Sequence, residues 1–348
     1  MSFELHQRTH IDDELTKIVR QQLRNSTHAL TTSAGNQLLS AVHESRKSVK
    51  KVRAVAALLE HAGAKLPRKD RRRLKSAARA LSRVRDSTAI IDTFDRVRRR
   101  YPGQLPEHTY EILRRGLVAA RDRRQARAQS DGVVAETAER LEKTRKSAKE
   151  WTSPSIKWPD MIAIVTDSYR RSRNAMKRAR LTRQSATLHR WRKELKILYY
   201  QLRLARPLTT GVAPFIAELN RLETALGNHH NLVVLGATLR GCRDLRSMRA
   251  EMRQIDRLAG RMRQPLRRRA FARGRRLHVR KPEAFAHWLR ASFKQTRLQQ
   301  DRGVRPPLST ARGSVATSRC DLPRSRRGSS SPRACQARTC HPRSLPAR

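Results

Sequence analysis

The chain has 348 residues, carrying 79 Lys+Arg against 29 Asp+Glu for a formal net charge of +50. That length is enough to bury a real core, as one large domain or two smaller ones, and 37% hydrophobic residues recurring at helical spacing exclude a wholly disordered polycation. Self-repulsion at this charge destabilises a compact state unless an anion relieves it, so the expected partner is a polyanion: nucleic acid, polyphosphate or an acidic membrane surface.

Strand signals are scarce, with few β-branched alternating runs and few Asn-Gly or Asp-Gly turns, so the composition predicts an all-α fold. Residues Met1 to Asp13 lack the apolar core of a signal peptide. No run approaches the ~20 apolar residues that span a bilayer, so no spanning segment is expected; among the polyanions, polyphosphate and nucleic acid are the expected partners and a membrane is not. Cys320, Cys335 and Cys340 lie near the C-terminus and only Cys242 elsewhere. No disulfide framework is implied, and a reducing cytoplasm is the expected compartment.

In chain order, Asp12 and Asp13 open a first helix, whose buried side is Leu15, Ile18, Val19, Gln22 and Leu23. Gly35 marks a break. The next helix, centred on His43 to Leu59, puts His43, Arg46, Lys47, Lys50 and Arg53 within one third of its circumference and Val42, Val49, Val52, Ala56 and Leu59 opposite them. It ends near Ala62-Gly63, where glycine permits a left-handed cap. After Pro67, a further helix lines up Arg72, Lys75, Arg79 and Arg83 on one face and Leu74, Ala77, Ala78, Leu81 and Val84 on the other. Antiparallel packing would set these two basic stripes side by side, a costly arrangement unless an anion lies between them. A loop follows at Tyr101 to Pro106, then a helix from about Glu107 to Ala128, a break at Asp131-Gly132 and a helix over Val133 to Glu150.

Trp151 to Pro159 reads as the link between a first half, about 5–150, and a second, about 159–300. The second half opens with a helix that aligns Arg170, Arg173, Lys177 and Arg180. Next comes LHRWRKELKILYYQL, with His189, Arg192, Lys193 and Lys196 on one side and Leu188, Trp191, Leu195, Leu198 and Leu202 on the other. A break at Pro207 to Pro214 precedes a helix over Phe215 to Gly227, and two or three more run to about Gln300. From about Asp301 apolar periodicity is lost and Pro, Ser, Gly and Arg dominate, as in a disordered tail. The 11 Arg and 2 Asp of residues 301–348 supply only +9 of the charge, so the basic character belongs to the helical body.

The pattern H-x-x-R-K-x-x-K thus occurs twice, with His43 and His189 heading the two copies 146 positions apart. Such self-similarity points to an internal duplication whose halves face each other. A second marker follows each copy: RVRDSTAI at 83–90 and LGNHHNLVVL at 226–235. The doubled helix and its markers resemble the CHAD domain, the conserved-histidine α-helical domain, over roughly residues 5–297. The resemblance implies two pseudo-symmetric helical bundles enclosing a basic cleft or pore, inorganic polyphosphate as ligand, and association with polyphosphate granules. By motif match it implies binding through His43, Arg46, Lys47, Lys50 and Arg53 of the first copy and His189, Arg192, Lys193 and Lys196 of the second. Two departures stand out. Asn231 takes the place that matches Asp86, and the stripe Arg72, Lys75, Arg79, Arg83 aligns with Ala217, Asn220, Thr224 and Asn228. Polyphosphate contacts are therefore expected to be lopsided toward the first half.

The residues support this ligand in their own right. A baseless chain with about one charge per phosphate needs closely spaced arginine forks and lysine point charges and little else. Nonspecific nucleic-acid binding is the main rival, but aromatics are 4% of the chain, Tyr199-Tyr200 is the one adjacent pair near a basic face, and no specialised DNA-binding signature is present. An enzyme of polyphosphate or triphosphate metabolism would need clustered carboxylates for metal ions. Asp86, Asp92 and Asp95 are the nearest approach, and no HExxH, P-loop or zinc-type spacing occurs, so no catalytic residue, metal or cofactor is assigned. His229-His230, placed at a helix end, reads as a cap or a solvent-facing pair. His43 and His189 head the cation columns and read as ligand contacts ahead of structural hydrogen-bonding groups.

Overall fold

The computed structural model describes residues 3–6, 10–33, 37–151, 155–242, 245 and 247–301, excluding the side chains of residues 83–87, 128–129 and 294–301. The side chains of the marker residues Arg83 and Asp86, the break expected at Gly35 and the tail beyond Asp301 therefore lie outside the described residues. Among the described residues the fold is all-α, built from α1 (Ile11–Thr32), α2 (Gln37–His61), α3 (Arg68–Arg100), α4 (Glu107–Ser130), α5 (Val133–Ser147), α6 (Trp158–Thr182), α7 (Ser185–Ala205), α8 (Ala213–Arg240), α9 (Arg249–Leu277) and α10 (Pro282–Asp301).

Local chemistry sets these boundaries. Asp12, Asp13 and Glu14 occupy the first turn of α1, where carboxylates suit the helix dipole. Helix α2 closes in a Schellman cap: Gly63 turns left-handed at φ 92°, its amide bonds the Glu60 carbonyl at 3.1 Å, and the Ala64 amide bonds that of Leu59 at 2.9 Å. The tight closure returns the chain as α3 alongside α2. Asp160 accepts the Lys157 amide at 2.9 Å and Pro159 sits in the first turn, which together start α6.

Helices α1, α2, α3 and α5 pack on one another, as do α6, α7 and α8, with α9 against α8 and α10 against α6. The two sets meet where α2 crosses α7 and where α3 crosses α8. Two apolar cores result. One joins α1, α2, α5, α6, α7 and α10 to the first parts of α3 and α8 and the end of α9. The other joins α4 and the first part of α9 to the later parts of α3 and α8. Along α8 the first core ends at Leu226 and the second begins at Leu232, so Gly227 to Asn231 lie at the seam. The apolar faces read from the sequence are the buried ones: Val42, Val49, Val52, Ala56 and Leu59 on α2, and Leu188, Trp191, Leu195, Leu198 and Leu202 on α7.

One expected boundary is corrected. The helix read as ending at Gly227 continues to Arg240. Gly227 is not a terminator here. It is buried, and a Cβ at that position would lie 3.2 Å from the Nη2 of Arg192, so glycine serves close approach of α7.

Asp70 anchors the first half. Fully buried in the first turn of α3, it accepts hydrogen bonds from Arg73 at 2.9 Å, Ser147 Oγ at 2.6 Å and Trp151 Nε1 at 3.0 Å. It thereby joins α3 to the end of α5 and to the link before α6. Removing it strands two buried donors and a guanidinium, so Asp70→Ala should cost about 3 kcal/mol of unfolding free energy. Urea denaturation checks this; a loss of a few tenths would mean that the three donors find water.

Candidate anion-binding site

The crossing of α2 and α7 brings the two cation columns together. On α2, Arg46 and Lys50 lie on the half-buried side away from the valines; on α7, Arg192 and Lys196 do the same. The charges acting on Lys50 are Lys196, Arg46 and Arg192, opposed by Glu223 of α8. Glu223 Oε1 accepts from Arg192 Nε at 2.8 Å and lies 3.2 Å from Lys196 Nζ. Its side chain is 13% exposed and those of Arg192 and Lys196 are 24% exposed, so the group is sheltered without being sealed.

Burial pushes the Lys50 ammonium down to about 7, and the like charges of Lys196, Arg46 and Arg192 add to that effect. Lys196 is lowered as well, by burial first, with Glu223 opposing and Arg192 and Arg46 adding. Desolvation and repulsion together disfavour the charged lysines, and an incoming anion would offset the repulsion. Arg53, exposed on the next turn of α2, is also lowered by burial.

Several charged residues here were not evident in the sequence. Glu223 is one, and beside the group stands a further pair of cations that act on each other, Lys51 and Arg203. Lys51 donates to Gln22 Oε1 at 3.2 Å, lies over the Phe3 ring at 5.2 Å, and is lowered by burial and by Arg203. Arg203 lies over Tyr199 and Lys196 over Tyr200, at 5.8 Å each, so the tyrosine pair is engaged by the cations of its own helix. Arg203 extends the α7 column by the step of seven after Lys196, a spacing the sequence does display.

The histidines stand at the seam. The His189 ring stacks on His230 with centroids 4.2 Å apart. Burial, then His230, Lys193 and Arg192, bring His189 down to about 4, so it is neutral at pH 7 in the free protein. Its buried Nδ1 has no hydrogen-bond partner in the described structure. The expectation that His229-His230 caps a helix or faces solvent is corrected: both lie within α8, and His229 is buried and brought to about 4 by burial and by Arg263 and Arg267. The pair is mid-helix because α8 runs on through Gly227. His43 is half-buried on α2, one turn before Arg46.

The remaining predicted residues are placed elsewhere. Lys47 is exposed and pairs with Glu44 at 2.7 Å, and Lys193 is exposed. Arg72, Lys75 and Arg79 are exposed on α3, and Arg83 lies outside the described side chains. Arg170 pairs with Asp167 at 3.2 Å, Arg173 donates to the His278 carbonyl at 3.3 Å, and Lys177 is exposed. The α6 stripe therefore lies against α9 and solvent instead of Lys50. A cavity of about 350 Å³ between α3 and α8 is lined by Asp92, Asp95, Arg96, Arg99 and Asn231. Arg96 also donates to Asn228 at 3.1 Å, so the position that lost its cation in α8 is bridged by one from α3. Asp95 is held by Tyr110 at 2.9 Å and Arg114 at 3.2 Å. Among the described residues no three His, Cys, Asp or Glu are grouped to hold a metal ion.

The CHAD domain family model matches residues 8–240, about two thirds of the chain. The chain belongs to the CHAD family. The crystal structure of the CHAD domain from the plant Ricinus communis is similar to it, with a TM-score of 0.60 at 18% sequence identity, covering 80% of this chain and 95% of that one. At that identity the likeness concerns the fold. Comparison with curated proteins gave no match. The CHAD match takes in α1 to α8 and hence all the cations around Lys50 together with Glu223, while α9 and α10 complete the cores beyond it. No described helix of this CHAD protein is long and apolar enough to cross a membrane.

Proposed function

We propose that this CHAD protein binds inorganic polyphosphate, without catalysis, along the cation face shared by α2 and α7. One observation carries the reading: Lys50 is half-buried with Arg46, Arg192 and Lys196 acting on it and one nearby carboxylate opposing them. A structural role accounts poorly for that grouping, because like charges taken from water cost folding free energy that Glu223 offsets only in part. The ligand is a chain of phosphates because the face offers forked and point cations in a column and few exposed aromatic surfaces for bases. Histidine contributes through His189 and His43, whose imidazoles flank the column and gain from a bound phosphate. The two five-helix runs, with their matching basic helices, are read as copies of one unit facing each other across this cleft. Residence at polyphosphate granules in the cytoplasm follows from the same reading.

The test is competition on the full chain at physiological salt between long-chain polyphosphate and single- and double-stranded DNA of equal charge. Polyphosphate should win by about tenfold or more, since DNA spreads its phosphates around a duplex or between bases that this face has no surface to stack. Equal competition would make the protein a general polyanion binder and favour the nucleic-acid reading.

A further inference from the structure

We propose that Glu223 is a specificity-determining residue, a resident counter-ion that long phosphate chains displace from Arg192 and Lys196 and that short phosphate compounds cannot. The inference rests on the polyphosphate reading and says which members of that ligand class the site accepts.

The argument begins with where the carboxylate sits. Glu223 bonds Arg192 at 2.8 Å and Lys196 at 3.2 Å, and it is the acidic group acting on both Lys50 and Lys196. It therefore neutralises the part of the face contributed by α7. At 13% exposure the pairing is shielded from salt, unlike the exposed Lys47–Glu44 pair. Glu223 projects from α8 just before Gly227, the glycine that lets Arg192 lie close along that helix, so backbone geometry fixes the pairing. In the alignment that sets Thr224 against Arg79, the position matching Glu223 is Ala78. The acid thus belongs to the second half, which also lacks the basic stripe found on α3.

A tethered carboxylate competes at high effective concentration and without loss of translational entropy. A compound with one to three phosphates must displace it to reach Arg192 and Lys196, and has few other contacts to offset that loss. A long chain engages Arg46 and Lys50 on α2 at the same time and continues toward Arg203 and Lys51, so displacement becomes a small part of a multivalent gain. Selectivity arises from the unfavourable element set against the wrong ligand.

The experiment compares triphosphate with long-chain polyphosphate by titration calorimetry at pH 6 and fixed salt, in the full chain and in Glu223→Gln. Glutamine keeps the side-chain size and one acceptor oxygen while removing the charge. Triphosphate should bind about tenfold tighter to the variant and the long chain only about two- to threefold tighter, so the preference for length narrows. An unchanged ratio, or weaker triphosphate binding, would overturn the proposal. Glu223→Asp retains the charge on a shorter arm that reaches Arg192 and Lys196 less well, and should fall between wild type and Gln. It carries the test if the Gln protein does not fold, and triphosphate affinity at or below wild type would then overturn the idea. If wild type fails to bind the long chain, the polyphosphate reading falls and takes this proposal with it. If wild type binds the chain but the ratio does not move, only the role of Glu223 falls.

Discussion

Lys50→Glu should weaken polyphosphate binding about a hundredfold or more and at the same time raise the melting temperature. In the free protein Lys50 faces Lys196, Arg46 and Arg192, with Glu223 the least of the five influences on it. A carboxylate at that position would meet three cations against the one carboxylate of Glu223, converting net repulsion into net attraction within a half-buried group. A gain of about 1–2 kcal/mol is expected, or several degrees in melting temperature. The same carboxylate would stand where a phosphate oxygen should lie, removing one contact and adding repulsion, for a loss of about a hundredfold in affinity or more. Lys50→Met should also stabilise the fold, with a loss of about tenfold, because it removes a charge without reversing it. Opposite signs for stability and binding mark a residue kept for its ligand at the expense of the fold. Thermal melting and calorimetric titration check the pair; a destabilised Lys50→Glu protein that still binds polyphosphate would remove Lys50 from the site.

The helices and their buried faces were legible because a 3.6-residue period in apolar residues is a local property, and Val49, Val52, Leu195 and Leu198 lie where that period puts them. The column positions were legible too, but not which part of each column faces another helix. Lys47 and Lys50 share one sector of α2, yet Lys47 reaches solvent and pairs with Glu44, while Lys50 turns toward α7. That choice depends on how α2 crosses α7, which no stretch of 20 residues records. Glu223 was hidden for the same reason, since it lies 31 positions from Arg192 and meets it only because α8 packs on α7 over Gly227. Reading Gly227 as a helix end followed from its usual breaking role, and that one error also misplaced His229-His230. Where glycine sits amid Leu222, Leu226, Leu232 and Leu235 at helical spacing, continuity with close approach is the better physical reading. The α6 stripe shows the converse, a real periodicity whose members the fold spends on Asp167 and on the His278 carbonyl.

Affinity for polyphosphate should fall as pH rises above about 7, although the ligand itself gains charge in that direction. The Lys50 pKa is about 7 in the fold against 10.5 for an exposed lysine. Between those two values the unfolded chain holds a proton that the fold has released, so stability of the free protein increases with pH through this window. Below about 7 both states are protonated, and the full cost of the buried charge is present. A bound phosphate favours the ammonium and restores the proton, so binding is strongest below about 7 and weakens by up to about tenfold per pH unit above it, until the pKa of the bound state is reached. Lys196, lowered for the same leading reason, acts in the same direction. His189 and His229, both near 4, stay neutral in the free protein from pH 6 to 9 and so impose no opposing change there. The ligand's terminal phosphates, with a second ionisation near about 6, can only add charge as the solution becomes alkaline. A decline in affinity therefore has to come from the protein. Calorimetry at pH 8 in buffers of different ionisation heat should report uptake of about one proton per site or more, with most of it lost in Lys50→Met. If affinity is flat or rises with pH and no proton is taken up, the phosphates do not reach Lys50, and the contact must be sought among the exposed cations of α2 and α3 instead.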